Sequence, residues 1–360
     1  MNTIKFGIWG FGRMGAQHGR FYAMEQDKFK LVAACDIDQA CLSDARAKYQ
    51  CAVYTDPGAF LADPEMELVV IVTLSLDHTR HALEALKSGK YVLLDKPIAI
   101  TESELALLRE ADRQYPGKLF VLHNLRFEPG FEAVQRTVAR GMLGDLSMIK
   151  LRRHHRGHHF RSDWQTLLGY GGGLLNNWGN HEIDHAVQLL GSHPVDIWSR
   201  LWHVSAGGDG DDHMKIVLQG GDGRVADLEI SYSVALPEPY CTIYGDRGSL
   251  VLNAAMDEIH LRYIDPGFQV PELCVEANTA SYCNRYDHEI PWVEETVSID
   301  PVGDLWEYID RKLIRYLHDT IRHGTPFPIK NSDAFETVRI MQTVKEQNPQ
   351  FAWKQEEMSS

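Results

Sequence analysis

Three glycines constrain this chain more than any other feature. Gly10, Gly12 and Gly15 form GFGRMG between an apolar run and a helical stretch. Residues 3–9 (TIKFGIW) read as a buried strand, and a helix is expected to begin near Arg13. A second strand, residues 30–35 (KLVAAC), ends at Asp36, which puts an acid about 20 residues beyond the glycines. In such a turn Gly10 permits the tight bend, Gly12 lets a pyrophosphate approach the backbone, and Gly15 allows close helix packing. The helix start presents free N–H groups and a positive dipole end to phosphates. Asp36 can accept both ribose hydroxyls of an adenosine and would repel a 2′-phosphate, so NAD is favoured over NADP. Phe11 and Met14 complete the cofactor turn. Arg13 softens the preference if it reaches the ribose, and Ile37 leaves the adenine side apolar. A flavin, bound by similar fingerprints, is the alternative cofactor. If the strand–helix order failed, the glycines would be plain turn residues and Asp36 a surface acid.

The first third of the chain continues this alternation. Helices are expected over residues 39–49, 78–87 and 101–115. The last is capped by Thr101, with Glu104 completing a capping box. Strands are expected at 68–74 (LVVIVTL), apolar enough to be buried on both faces, at 90–94 and at 119–122. Such alternation implies a parallel sheet with right-handed crossovers. After residue 122 the pattern changes. A helix over 129–140 precedes the strand DLSMIKLRRHH, and a helix is expected over 182–190. Runs such as VDIWSRLWHV, HMKIVLQG, RVADLEISYSV, YCTIYG and SLVLN then suggest a mostly antiparallel sheet. Residues 304–322 and 331–347 read as helices. The division expected is 1–122 for nucleotide binding and 123–360 for substrate binding and oligomerisation, with the last helices free to pack back on the first domain.

Composition sets the class. The chain has 360 residues, 44% hydrophobic and 24% charged, which suits about two folded domains. The formal net charge of −14 argues against nucleic acid, whose binding needs cations against phosphates. No apolar run is long enough to span a bilayer, so no membrane partner is expected. The start lacks a signal-peptide core, and the six cysteines form no CxxC pair. A cytoplasmic protein with free thiols is expected.

Chemistry in an open parallel sheet collects beyond the carboxyl ends of its strands. Thr73 and Asp95-Lys96-Pro97 lie there, and Lys96 could stabilise an alkoxide or simply pair with Asp95. The segment GYGGGLLNNWGNHEIDH (169–185) adds a close-approach loop and His181, expected just before a helix, as a base suited to neutral pH. Asp184 reads as structural. His181 to His185 also spells HExxH, but that zinc motif needs its own helix, a third ligand and a free coordination position, whereas this segment opens with three glycines and follows a dinucleotide domain. His154, His155, His158 and His159 crowd one stretch. A substrate-facing loop including His155 is favoured over a metal site. Arg161, Asp163, Trp164 and Gln165 resemble sugar-binding equipment, although the indole could equally belong to the core.

Taken together these segments resemble the Gfo/Idh/MocA oxidoreductases over nearly the whole chain. GFGRMG with Asp36 resembles the family's nucleotide site, and Asp95-Lys96-Pro97 its Glu-Lys-Pro motif with a shortened acid. Asn124-Leu125-Arg126-Phe127 with Pro129 resembles the segment opening its second domain, which brings Arg126 into the candidate substrate site. GGGLLNNWGNHEID resembles its GGG-x-L-x-D-x-G-x-H-x-x-D pattern. The resemblance implies an α/β architecture: a Rossmann domain plus a C-terminal α/β domain with an open, mainly antiparallel sheet that builds homodimers or homotetramers. It implies sugars, glycosides, cyclitols and related polyols as substrates. It gives Lys96 and His181 the roles of catalytic lysine and histidine and places Asn177 where many members carry a catalytic aspartate. An asparagine can hold the ring but adds no charge to raise its basicity. A second departure is Ser75-Leu76-Asp77-His78, which stands where many members read Pro-Asn-x-x-His. His78 keeps a place near the cofactor. The DWQ segment with GGG and NNWG resembles a bacterial sugar-oxidising subgroup. Two rival readings stand beside dehydrogenation: glycoside cleavage using tightly held NAD with no net redox change, and a protein that senses NAD or a sugar without turnover.

Overall fold

The fold is that of a computed structural model, which describes residues 2–155, 163–204, 207–270 and 289–353. Five strands and five helices open the chain: β1 (Ile4–Trp9), α1 (Arg13–Ala23), β2 (Phe29–Cys35), α2 (Gln39–Tyr49), β3 (Ala52–Tyr54), α3 (Pro57–Leu61), β4 (Leu68–Ile71), α4 (His78–Lys87), β5 (Tyr91–Leu94) and α5 (Glu102–Gln114). With β6 (Leu119–Val121) the strands form one parallel sheet in the order β3-β2-β1-β4-β5-β6. The order reverses between β1 and β4, the crevice where such sheets bind ligands. The central strand β4 is apolar and fully buried, as a strand covered on both faces must be. The expected capping box is present: the Thr101 hydroxyl accepts from Glu104 N–H, and the Glu104 carboxylate accepts from Thr101 N–H at 2.9 Å.

The second half carries α6 (Pro129–Ala139), β7 (Leu146–His154), α7 (Asn180–Leu190), β8 (Pro194–Trp202), β9 (His213–Gly220), β10 (Val225–Ser231), β11 (Cys241–Gly245), β12 (Gly248–Leu252), β13 (Glu258–Ile264) and β14 (Trp292–Ser298). These eight strands run β14-β13-β12-β11-β7-β10-β9-β8, antiparallel except for the β7–β10 pair. One face packs Ile149, Leu228 and Ile243 against Phe131 of α6 and Ile183 of α7. The other face is open and carries Trp198, Trp202, Tyr244 and Trp292, each more than a third exposed.

Two long helices close the chain, α8 (Leu305–His323) and α9 (Asn331–Gln347). α8 buries Ile309, Leu313, Ile314 and Leu317 in the core of the first sheet beside Ile4 and Phe6. α9 divides its apolar stripe: Ala334, Phe335 and Val338 face the first sheet, and Ile340, Met341 and Val344 join the core of the second. The last helices therefore stitch the two halves together.

Several boundaries differ from expectation. The strand read over 68–74 stops at Ile71, because residues 72–74 leave the sheet to wall the crevice. α7 begins at Asn180, so His181 sits in its first turn rather than before it, and a π-helical turn (Leu175–Gly179) leads into it. β3 and α3 are too short for periodicity to reveal. β14 alternates exposed and half-exposed residues at a sheet edge, which gives it no apolar signal. Cys35, Cys41, Cys51 and Cys241 are free thiols; Cys274 and Cys283 lie outside the described residues.

Candidate active site

A cleft of about 640 Å³ opens at the carboxyl ends of β1, β2, β4 and β5 and reaches the loops of the second half. Its size is ordinary for a small-molecule site. At one end lies the glycine turn. Gly10 has φ +94°, and a Cβ there would stand 2.8 Å from the Val72 carbonyl oxygen. A Cβ on Gly15 would meet the Gly10 carbonyl at 2.1 Å, so α1 can approach β1 only with glycine there. At Gly12 a Cβ would meet nothing within 4 Å: that space belongs to the cleft. Gly12 caps α1 with no side-chain partner, which leaves the helix's first N–H groups and dipole available to an anion. Asp36 receives Phe11 N–H at 2.5 Å and Asp38 N–H at 2.9 Å, so the carboxylate also fixes the turn it faces. The open Gly12 face, the uncapped helix and an acceptor-only acid at the end of β2 fit a dinucleotide whose ribose lacks a 2′-phosphate.

Arg13, Met14, Asp36 and Ile37 line this end; Thr73, His78, Asp95 and Lys96 line the middle. The His78 ring bridges two strand ends, with Nδ1 2.8 Å from the Pro97 carbonyl oxygen and Nε2 3.1 Å from that of Thr73. Thr73 Oγ1 in turn meets His81 Nδ1 at 3.0 Å, and His81 stacks on Trp9 with ring centres 3.9 Å apart. Burial holds the His81 imidazole down to about 4.

The far end brings together the elements of the second half. Lys96 Nζ donates to the Asn177 backbone carbonyl at 2.8 Å and to its side-chain oxygen at 3.3 Å. Asn177 thus holds Lys96, whereas the expected partner was the His181 ring or a neighbouring substrate hydroxyl. His181 lines the same cleft and is only 4% exposed. Burial, with the Lys96 charge as the next cause, pushes its imidazole well below the ordinary value. The ring is therefore neutral near pH 7 and able to accept a proton. Asp163, Trp164, Gln165 and Gly171 to Gly173 complete this wall. Behind it, Asp211 accepts from Leu175 N–H at 2.8 Å, and burial raises its carboxyl to about 7.

Four expected residues are placed elsewhere. The Phe11 ring is in the core beside Tyr49, so only its backbone serves the turn. Gly15 packs α1 and does not line the cleft. His155 is exposed just beyond the end of β7 and is not a lining residue. Arg126 does not line it either: its guanidinium is spent on Asp184 at 2.5 and 2.6 Å and on Asp333 at 2.9 Å. Asp184 is structural, as read. Burial works to raise its carboxyl, but Arg126 and His123 outweigh that and hold it well below the carboxylate range. Arg161, His158 and His159 fall outside the described residues.

HExxH is not a metal site. Glu182 binds Arg153 at 2.5 Å and Tyr240 at 2.9 Å, and both His185 nitrogens are engaged, with the Tyr240 hydroxyl and the Leu125 carbonyl. Trp9, Trp178 and Trp306 line the cleft unforeseen. Trp178 gave a weak signal inside NNWG. Trp306 gave none, because it stands on α8, about 130 residues beyond the loop it faces.

A doubly wound sheet carrying this turn, with a lysine and a neutral histidine at its crevice, defines a dinucleotide-dependent oxidoreductase. Residues 4–123 match the oxidoreductase family with the NAD-binding Rossmann fold, and residues 131–251 match the GFO/IDH/MocA C-terminal domain. The chain belongs to the Gfo/Idh/MocA family. It is 26% identical to inositol 2-dehydrogenase of Rhizobium meliloti over 84% of this chain and 92% of that protein. It is 25% identical to 2,7-anhydro-N-acetylneuraminate hydratase of Escherichia coli over 69% of this chain and 68% of that protein. Among solved structures it superposes on an oxidoreductase from Agrobacterium radiobacter, in complex with NAD+, L-tartaric acid and magnesium, with TM-score 0.78 at 18% identity over 96% of each chain.

Proposed function

We propose that the protein is an NAD-dependent dehydrogenase exchanging hydride between a ring secondary alcohol, on a sugar, glycoside or cyclitol, and the nicotinamide. The observation that carries this reading is the juxtaposition of Lys96 and His181 in one cleft with the glycine turn and Asp36. Bound NAD supplies the hydride acceptor at its nicotinamide C4. His181 takes the hydroxyl proton on an imidazole nitrogen, which its suppressed basicity leaves vacant at neutral pH. Lys96 donates a hydrogen bond to the reacting oxygen as negative charge develops there. Asn177, holding Lys96 through two carbonyl oxygens, aims that ammonium without neutralising it. Asp163, Trp164 and Gln165 offer hydroxyl partners and a flat apolar face to the ring. The likeness to a hydratase favours one second reading, redox-neutral glycoside cleavage: oxidation of the alcohol acidifies the neighbouring C–H, elimination releases the leaving group, and the carbonyl is then reduced back on the same NAD, with no net NADH.

The test is a panel of sugars, glycosides and cyclitols with NAD and with NADP, following NADH absorbance and released products together. NADH formation with NAD supports dehydrogenation; product without NADH supports the redox-neutral path. Ligand-induced stabilisation with no turnover on the whole panel would sink both and leave a sensor. The open aromatic face of the second sheet is the expected homodimer or homotetramer surface. Light scattering of the eluted protein checks this, and a monomeric mass would refute it.

A further inference from the structure

Outside the cleft, one cluster among the described residues brings metal-ligating side chains together. His318, Asp319 and His323 end α8, and one ligand atom from each lies within 4.8 Å of the other two. None of the three lines the cleft. His318 is 2% exposed and sits against Phe29, ring centres 5.9 Å apart. Its Nε2 lies 3.0 Å from the Asn2 backbone carbonyl oxygen, which can only accept. That nitrogen therefore carries the proton, and in the neutral ring the lone pair is on Nδ1. Nδ1 faces Asp319 Oδ1 at 3.3 Å. Two acceptors at that distance need a cation or a second proton between them. The separation is also that of two ligands on a tetrahedral ion with bonds of about 2.0–2.1 Å.

We propose that His318, Asp319 and His323 bind a divalent transition-metal ion of the zinc or nickel class. The donor set of two imidazoles and one carboxylate suits such borderline ions better than magnesium or calcium. The Asn2 carbonyl acts as the outer partner that fixes the His318 tautomer, a common device at metal-bound histidines. The Asp319 side chain is 47% exposed and His323 is exposed, so both can close on an ion held by the rigid His318. The C-terminal end of a helix favours a cation. Arg322, next to the site, donates from Nε to the same Asn2 carbonyl oxygen at 3.1 Å and from its terminal nitrogen to Thr3 O and Glu67, both at 2.9 Å. An ion here ties the end of α8 to the chain entering β1.

The test uses untagged full-length protein titrated calorimetrically with zinc chloride, and with cobalt(II) to read its visible absorption. One equivalent is expected to bind and to raise the thermal midpoint. His323→Ala and Asp319→Ala, both at exposed positions, should each weaken zinc binding by at least about tenfold while the circular dichroism stays unchanged. His158→Ala/His159→Ala should bind zinc as the unaltered protein does. Absence of zinc binding would leave a plain contact between His318 and Asp319 and overturn the proposal. Zinc affinity untouched by His323→Ala and Asp319→Ala, or lost in the His158/His159 variant, would overturn it equally by placing the ion elsewhere.

Discussion

At Lys96 the ammonium is aimed by two oxygens of one residue, the Asn177 backbone carbonyl at 2.8 Å and its side-chain carbonyl at 3.3 Å. Both are neutral, and the charge of Lys96 joins burial in keeping the His181 ring deprotonated. The sign for activity follows. A base held below about 6.5 stays competent on acidification, so kcat/KM should remain flat from pH 8 down through that value before it falls. Asn177→Asp places a negative charge beside Lys96 in the cleft that His181 lines and favours imidazolium, so the acid limb should move to higher pH. A pH–rate profile of the two proteins decides it, and an unmoved limb would mean that the limb belongs to another group. Lys96→Met should lower kcat/KM by about 10² to 10³, the usual cost of one electrostatic donor to a developing oxyanion. Lys96 and His181 could be singled out from local sequence, because a proline-fixed strand end and a glycine loop are local features. That Asn177 serves the lysine rather than the histidine could not, since 81 residues separate the pair.

Among the elements, the turn between β1 and α1 separates folding from binding at neighbouring glycines. A methyl group at Gly15 has no room, with the Gly10 carbonyl at 2.1 Å, whereas one at Gly12 enters open cleft. Gly15→Ala should therefore destabilise by about 1–3 kcal/mol through overpacking, read in a denaturant midpoint. Gly12→Ala should keep that midpoint and weaken NAD binding, read by calorimetry. Loss of stability in Gly12→Ala with NAD affinity intact would contradict the assignment. The capping box at Thr101 and the limits of α2 and α9 agree with the sequence reading because caps and helical periodicity act within a few residues. β14 escaped it because a strand at an open sheet edge needs no apolar alternation, whereas β13, inside the sheet, does alternate buried Ile259, Leu261 and Tyr263.

Across the whole molecule, Arg126 joins Asp184 of α7 to Asp333 of α9 in a buried cluster, with His123 Nδ1 3.2 Å from Asp184. Asp184→Asn removes the charge facing a buried guanidinium and should cost about 3–5 kcal/mol, measured by chemical unfolding. The pH sign is that of a depressed carboxyl. Its contribution is present above the unfolded value of about 3.9 and is lost as pH falls toward the lower folded value. Asp184→Asn should lack that part of the acid sensitivity; an unaltered acid profile would show that the cluster contributes little. Residue patterns alone determined the parallel nucleotide sheet and the cofactor turn, because strand periodicity, glycine turns and caps are written over short spans of chain. Only the tertiary structure decided that Arg126 is a strut rather than a substrate ligand, that Trp306 reaches the cleft from α8, and that the last helices bind the two halves. Each of those depends on contacts between residues distant in the chain, and their side chains carry no local mark of the neighbours that folding brings to them.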